Sequence, residues 1–271
     1  EPAAMNQQPP PASRTSASRD SLSSTCTHLT RAPWLSIVMP VHDEAAGIVQ
    51  TLIALSRLRA GGDCEVIVVD GGSTDGTPSL ARPLCDAVLS SEPGRARQMN
   101  AGAARARGEW LLFLHADTDL PDNALALLKE AITTHRRSDW GRFDVSIKGE
   151  SPWLPMIAAM MNLRSRLTSI STGDQTQFVK RSTFEAIGGF ADMPLMEDIW
   201  LSAHLKHLTP PMNLTARVTT SGRRWETHGV WRTIVKMWGL RLAAWCGISP
   251  ARLARLYGYR AAAQACEQRG M

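Results

Sequence analysis

The fold of this chain is restricted most by four short apolar runs in its first half. Three of these runs lead into an acidic segment. The four runs cover residues 35–41, 64–70, 87–89 and 110–115. Such runs, separated by amphipathic helical patterns, are typical of buried parallel strands. The spacing predicts an α/β fold, with a mostly parallel central sheet and helices on both of its faces.

The segments between the apolar runs predict the helices. Asp43 is expected to cap the first helix, whose apolar positions run from Ile48 to Leu58, and Gly61 and Gly62 are expected to end it. Further helices are expected over residues 95–107, 121–135, 153–169, 182–187, 197–207 and 228–246, with further strands over 141–148, 175–180 and 212–218.

The three acidic segments follow strands whose carboxyl ends meet at one edge of a parallel sheet, where such folds bind ligands. They contain Glu44, the stretch Asp70–Asp75 and the pair Asp117 and Asp119. Two carboxylates on a strand-end loop suit Mg²⁺ or Mn²⁺, which prefer oxygen ligands and commonly share substrate phosphates. The glycines of residues 71–76 let the backbone approach a ligand closely. Each segment taken alone also fits a plain turn with a helix cap.

Composition excludes several other classes of protein. Hydrophobic residues make up 44% and charged residues 20% of the 271 residues, so the chain as a whole is neither disordered, collagen-like nor a coiled coil. It contains no apolar run of about 18 residues that would predict a membrane-spanning helix. The five cysteines lack Cys-x-x-Cys spacing and no signal peptide is visible, which favours a reduced, cytoplasmic protein without zinc or a disulfide framework.

The chain divides by composition into three parts. Residues 1–33 are rich in Pro, Ser and Thr and predict a disordered tail; residues 34–248 form the α/β domain, and residues 249–271 a basic helical extension. Residues 220–271 hold nine Arg and Lys against two Asp and Glu, a net charge of +7 that suits phosphate, an anionic membrane surface or nucleic acid. Nucleic acid is not expected as a partner, since only this basic end would point to it.

Three tryptophans in the same region are spaced seven residues apart and would form one stripe along a helix. They are Trp231, Trp238 and Trp245. Such a stripe is typical of core packing or of a homodimer contact. With its flanking basic residues it also fits a helix that lies on the inner surface of a membrane, near a lipid-linked acceptor.

The strand-end segments occur in an order that resembles one known family. Residues 40–44 read Pro-Val-His-Asp-Glu, residues 70–77 read Asp-Gly-Gly-Ser-Thr-Asp-Gly-Thr, and residues 114–121 read Leu-His-Ala-Asp-Thr-Asp-Leu-Pro. This order resembles family 2 of the glycosyltransferases, which have the GT-A fold. The tracts Gly173-Asp174-Gln175 and Met196-Glu197-Asp198 look like a bacterial subgroup described as radical-SAM/selenodomain-associated glycosyltransferases.

The resemblance implies inverting transfer of a sugar from a nucleotide-diphosphate donor to a hydroxyl acceptor. Asp117 and Asp119 match the family's metal-binding Asp-x-Asp, whose Mg²⁺ or Mn²⁺ neutralises charge on the departing diphosphate. Asp198 matches the family's catalytic base, and Glu197 is the adjacent alternative. A helix N-terminal acidic cluster is the structural alternative for this pair.

The resemblance also assigns residues to the donor. Its nucleotide positions are matched by Pro40, Glu44, Asp70, Gly72 and Asp75. Where the family commonly has a second Asp that contacts the base, this chain has Gly71. The sequence therefore does not decide whether the donor carries uridine, guanosine or thymidine.

Basic and aromatic residues complete the expected donor site. Arg95 and Arg97, at the start of an Ala-rich helix, are expected to reach the nucleotide or its phosphates, and a solvated helix face is their alternative. A mobile segment is expected to close on the diphosphate, and it contains Trp225 with Arg223, Arg224 and His228 around it. Simple packing is the alternative for Trp225.

Two other functions fit parts of the pattern. A nucleotidylyltransferase has a related fold, but it would need a Gly-rich, basic loop after the first strand, where this chain has residues 40–44. A non-catalytic nucleotide-sugar-binding protein would not need Asp117, Asp119 and Asp198 together, so their joint presence argues for catalysis.

Overall fold

The computed structural model of the protein describes residues 32–229, 232–233, 235–236, 239, 243 and 252–253. Most of the predicted tail over residues 1–33, of the helix expected over 228–246 and of the extension over 249–271 therefore lies outside the described residues. So do all three tryptophans of the predicted stripe.

Sixteen strands and helices are described, and they alternate through the first half of the chain. In order they are β1 (Leu35–Val41), α1 (Ile48–Arg59), β2 (Cys64–Asp70), α2 (Thr77–Ala81), β3 (Ala87–Ser90), α3 (Arg95–Arg105), β4 (Trp110–Phe113), β5 (Thr118–Asp119), α4 (Ala124–Thr134), β6 (Trp140–Lys148), α5 (Leu154–Thr168), β7 (Gln177–Lys180), α6 (Arg181–Ala186), α7 (Glu197–Leu208), β8 (Met212–Ser221) and α8 (Arg223–His228). Within the described residues, no helix combines the length and hydropathy that crossing a bilayer requires.

The strands form one eight-stranded sheet in the order β3-β2-β1-β4-β7-β6-β8-β5. The first four strands in this order pair in parallel. The other half is mixed, because β7 runs antiparallel to both β4 and β6, β5 runs antiparallel to β8, and β6 pairs with β8 in parallel. The predicted α/β class with a mostly parallel sheet is confirmed.

Helices cover both faces of this sheet, as the sequence predicts. Successive side chains of a strand point to opposite faces. Ile37 and Met39 of β1 pack on one face with apolar side chains of α1, α4 and α5. Val38 packs on the other face with Met99 of α3 and Leu201 of α7.

The prediction that Asp43 caps the first helix is wrong. α1 begins only at Ile48, after Gly47. Asp43 has a left-handed backbone with a φ of 53°, and its carboxylate accepts a hydrogen bond from the backbone N–H of Thr74 at 2.7 Å. The side chain therefore ties the loop after β1 to the loop after β2 instead of starting a helix.

Candidate active site

The carboxyl ends of β1, β2 and β4 open into a cleft of about 580 Å³. α3 fixes two of these strand ends, because Nε2 of the buried Gln98 donates to the carbonyls of both Val41 and Val69 at 2.8 Å. The beginning of α7, the end of β8 and part of α8 complete the walls. The predicted site residues that line the cleft are Pro40, Glu44, Asp117, Glu197 and Trp225.

Three other predicted donor residues build the loop that borders the cleft. The carboxylate of Asp70, only 5% exposed, accepts hydrogen bonds from the backbone N–H groups of Gly72 and Ser73 and so closes the turn after β2. Gly72 has a φ of 91°, which favours glycine at this position. Asp75 accepts from the hydroxyl of Thr77 and from the backbone N–H of Ala45, and these hydrogen bonds lower its pKa.

The pKa of Glu44, which lies in the loop after β1, is raised. Burial is the largest cause, and the negative charge of Asp117 is the next. Arg223 and Arg95 oppose the shift, while Asp75 adds to it. Burial therefore contributes most to this shift, and neighbouring carboxylates and guanidinium groups act on it in opposite directions.

The structure places Asp117 and Asp119 in different cavities. Asp117 lines the cleft, whereas Asp119 lines a small crevice with Arg57 and Pro121. The hydroxyl of the buried Thr118 donates to that of Thr220 at 3.1 Å, because β5 pairs here with β8. This pairing holds the two carboxylates in separate surroundings.

Two cleft residues were missed by the sequence reasoning. His115 precedes Asp117 on the same strand end, and its Nδ1 lies 3.5 Å from Oδ1 of Asp174. The imidazole lies close against Gly173, where an added Cβ would come within 2.5 Å of Cε1 and Nε2. The signal for both residues was present, since each lies within a tract that carries the family resemblance.

The two acidic residues at the start of α7 have different surroundings. Glu197, 4% exposed, lines the cleft, and burial followed by the charge of Asp198 raises its pKa. Asp198 is not among the residues that line the cleft. Backbone donors hold its carboxylate, since its Oδ2 accepts from the N–H of Gly173 at 2.6 Å and its Oδ1 accepts from the N–H of Ile199 at 2.7 Å.

Only some of the basic residues at the expected donor site line the cleft. Arg97 pairs with Asp192 at 2.8 Å and with Glu92 at 2.9 Å, at the start of α3. Its neighbour Arg95 lines the cleft. Arg223 of α8 also lines it, beside the half-buried Trp225, whereas the side chains of Arg224 and His228 lie outside the described part of the structure.

The fold matches those of solved glycosyltransferases. Mannosyltransferase PcManGT from Pyrobaculum calidifontis, in complex with GDP-Man and Mn²⁺, aligns over 89% of this chain and 77% of its own, with a TM-score of 0.59 and 21% identity. S. aureus TarS 1-349, in complex with UDP-GlcNAc, aligns over 69% of this chain and 58% of its own, with a TM-score of 0.57 and 20% identity. The chain therefore has the GT-A fold that the sequence predicts.

Sequence comparison places the chain more narrowly. The pattern described as "Glycosyl transferase family 2" matches residues 36–193, so the chain belongs to glycosyltransferase family 2. A curated relative, the "PGL/p-HBAD biosynthesis glycosyltransferase" of Mycobacterium bovis, is 31% identical over 168 residues. This alignment covers 59% of the present chain and 64% of the relative's length. The narrower bacterial subgroup stays a prediction.

Proposed function

We propose that the chain is an inverting glycosyltransferase, which moves a sugar from a nucleoside-diphosphate sugar to a hydroxyl acceptor with the help of a divalent cation. One observation carries the proposal: Asp117, Glu197, Arg95 and Arg223 line a single cleft at the strand ends. Guanidinium groups suit a diphosphate, and a carboxylate suits a cation. A cleft with both kinds of group fits the donor and its cation, and Asp198 directly follows the cleft residue Glu197 at the start of α7.

Asp117 and the donor's diphosphate oxygens are the proposed ligands of the cation. Mg²⁺ and Mn²⁺ sites of this kind commonly use one or two carboxylates and take the remaining ligands from phosphates and water. The described residues contain no cluster of three His, Cys, Asp or Glu side chains able to hold a metal, which is compatible with such a shared site. When bound, the ion would neutralise charge on the leaving diphosphate.

Asp198 is the proposed general base. Two backbone N–H groups hold its carboxylate in one orientation, and each oxygen keeps a lone pair for the acceptor's proton. As the acceptor oxygen bonds to the anomeric carbon and the bond to the diphosphate breaks, the hydroxyl proton passes to Asp198. Glu197 has a raised pKa and therefore tends to keep its own proton, which separates the roles of the two neighbours.

A donor panel tests the proposal. The full chain is incubated with GDP-mannose, UDP-GlcNAc and other nucleotide sugars, with and without Mn²⁺, and release of nucleoside diphosphate is measured. We expect metal-dependent release from at least one donor, and its loss in Asp198→Asn. If donors bind but none is cleaved or transferred with any hydroxyl acceptor, the chain is a nucleotide-sugar-binding protein instead.

A further inference from the structure

Helix α5 presents an apolar stripe to solvent. Nine large apolar side chains are exposed in the described part of the chain, and five of them lie on α5 or at its first turn. These five, which we call the α5 stripe, are Trp153, Met156, Met160, Leu163 and Leu167, between 41% and 77% exposed. Their spacing of three and four residues places them on one side of the helix, over roughly 21 Å.

The amphipathic pattern of α5 is partly inverted. The face that packs on the sheet buries Asn162 and Ser165, whereas Leu163 and Leu167 point outward. Asn162 pairs with the backbone of Val145 in β6 through two hydrogen bonds of 2.9 and 3.0 Å. Packing on the sheet therefore explains the inward polar residues but not the outward apolar ones, which need a partner outside the domain.

The charge around the α5 stripe is suited to an anionic partner. Residues 151–173 contain no Asp or Glu. Their two basic residues are Arg164, which is half-buried, and Arg166, which pairs with Asp144 at 2.6 Å, so most of the positive charge must come from elsewhere in the chain. α8 lies beside the first turn of α5, where the backbone N–H of Glu150 donates to Glu226 at 2.6 Å. The 43 residues from Gly229 onward, which follow α8 in the chain, carry seven Arg and Lys against one Glu. The strongly basic part of the sequence therefore begins close to the N-terminal end of the apolar stripe.

The α5 stripe is also connected to the proposed acceptor side. The helix leads directly into the turn whose Gly173 N–H binds Asp198. The hydroxyl of Ser165 donates to Gln175 of the same turn at 2.5 Å. A surface that binds the stripe would therefore lie close to the residues that receive the acceptor.

We propose that the α5 stripe rests on an anionic lipid bilayer. Tryptophan, methionine and leucine enter the interfacial layer, and the neighbouring basic residues attract acidic headgroups. A single helix face of this length is suited to lying in the plane of a bilayer. The consequence, which rests on the proposed function, is that the acceptor is an amphiphile held in the same bilayer.

Vesicle flotation of the full chain tests this proposal. The vesicles consist of phosphatidylcholine alone or of phosphatidylcholine mixed with phosphatidylglycerol. The test variant is Leu163→Gln with Leu167→Gln, and the control is Leu80→Gln with Leu208→Gln, which changes exposed leucines of α2 and α7. We expect binding to anionic vesicles that falls with salt, roughly tenfold weaker in the α5 variant and unchanged in the control.

The outcomes separate the two proposals. Unweakened binding by the α5 variant, or no binding by the unaltered chain at low salt, overturns the membrane assignment. So does a dimer in sedimentation velocity that becomes monomeric in the α5 variant, because the stripe would then contact a second copy. Donor cleavage in solution and the melting temperature should be equal in both variants. Vesicle binding by a chain that cleaves no donor would contradict the proposed function alone.

Discussion

The two halves of the sheet hold their site residues in different ways. In the half formed by β1 to β4, polar loops at neighbouring strand ends bind one another: Asp43 accepts from Thr74, and Asp75 accepts from Ala45. In the half formed by β6 to β8, buried polar side chains from separate elements do this work. There Nε2 of Gln177 donates to the carbonyl of Asp198 at 3.0 Å.

This difference has a chemical consequence for the cleft. The first half presents the carboxylates of Glu44 and Asp117 and the half-buried guanidinium of Arg95, which suit a charged, hydrated ligand such as a diphosphate. The second half fixes one acid through backbone donors and buries its neighbour, which suits a proton transfer that needs a defined geometry. Substitutions in the first half should therefore change donor binding, and those in the second half should change turnover.

The largest expected effect lies in the second half. Asp198→Asn keeps the shape of the side chain but removes the proton acceptor. We expect kcat to fall by a factor of about 10²–10⁴, with little change in donor affinity, because the residue serves the acceptor. Steady-state kinetics and calorimetry of donor binding measure the two quantities separately. Weak donor binding with normal turnover would place Asp198 in a structural role.

The two aspartates after β4 test the first half. Asp117→Ala should lower the Mn²⁺-dependent affinity for UDP or GDP by roughly tenfold to a hundredfold, since it removes a carboxylate ligand. Asp119→Ala is the matched variant, and the placement of its side chain outside the cleft predicts a smaller loss. Calorimetry with and without Mn²⁺ measures both. Equal losses would favour the Asp-x-Asp pair that the family resemblance implies.

The fold could be predicted from the sequence mainly where local patterns determine it. β2 was predicted to the residue, because both of its faces are buried and four consecutive apolar residues, 66–69, form its centre. The role of Asp43 and the placement of Asp119 could not be read in this way, since both depend on contacts with distant segments. β5 pairs with β8 about a hundred residues later, and only this pairing places Asp119 outside the cleft.

The second half was harder to predict, for a related reason. The pattern of α5 correctly indicated a helix, but it did not reveal that Asn162 faces inward. That orientation depends on the backbone N–H and C=O of the buried Val145 in β6, both of which bind the Asn162 side chain. The family resemblance supplied Asp198, whereas its backbone partner at Gly173 requires the folded turn. Predicting such sites needs the three-dimensional arrangement of hydrogen-bond donors and acceptors.

A smaller effect, on stability, is expected at Glu197. Its pKa is raised in the folded state, mainly by burial, so folding favours the protonated form. The stability of the unaltered chain is therefore full below the ordinary pKa of a glutamate and declines as the pH rises through the raised value. In Glu197→Gln the side chain at this position is neutral at every pH. We expect the free energy of unfolding of this variant to exceed that of the unaltered chain by an amount that grows across this window to the order of 1 kcal/mol. Thermal unfolding from acidic to neutral pH, without metal or donor, measures this. An advantage that shrinks as the pH rises would contradict the assignment.

The smallest effect is expected at Arg97, where the sequence and the geometry make different predictions. The sequence predicts that Arg97 reaches the donor together with Arg95, but in the structure the guanidinium of Arg97 pairs with Asp192 and Glu92, which are themselves partly exposed. Ion pairs of this kind contribute about 1 kcal/mol or less, so Arg97→Ala should cost little stability and leave donor affinity unchanged. Arg95→Ala is the matched variant, since Arg95 lines the cleft and its loss should weaken donor binding. Calorimetry on both variants decides between the two arginines. Weaker binding in Arg97→Ala alone would mean that these ion pairs open when the donor binds, and the first half of the cleft would then be less preformed than its loop contacts indicate.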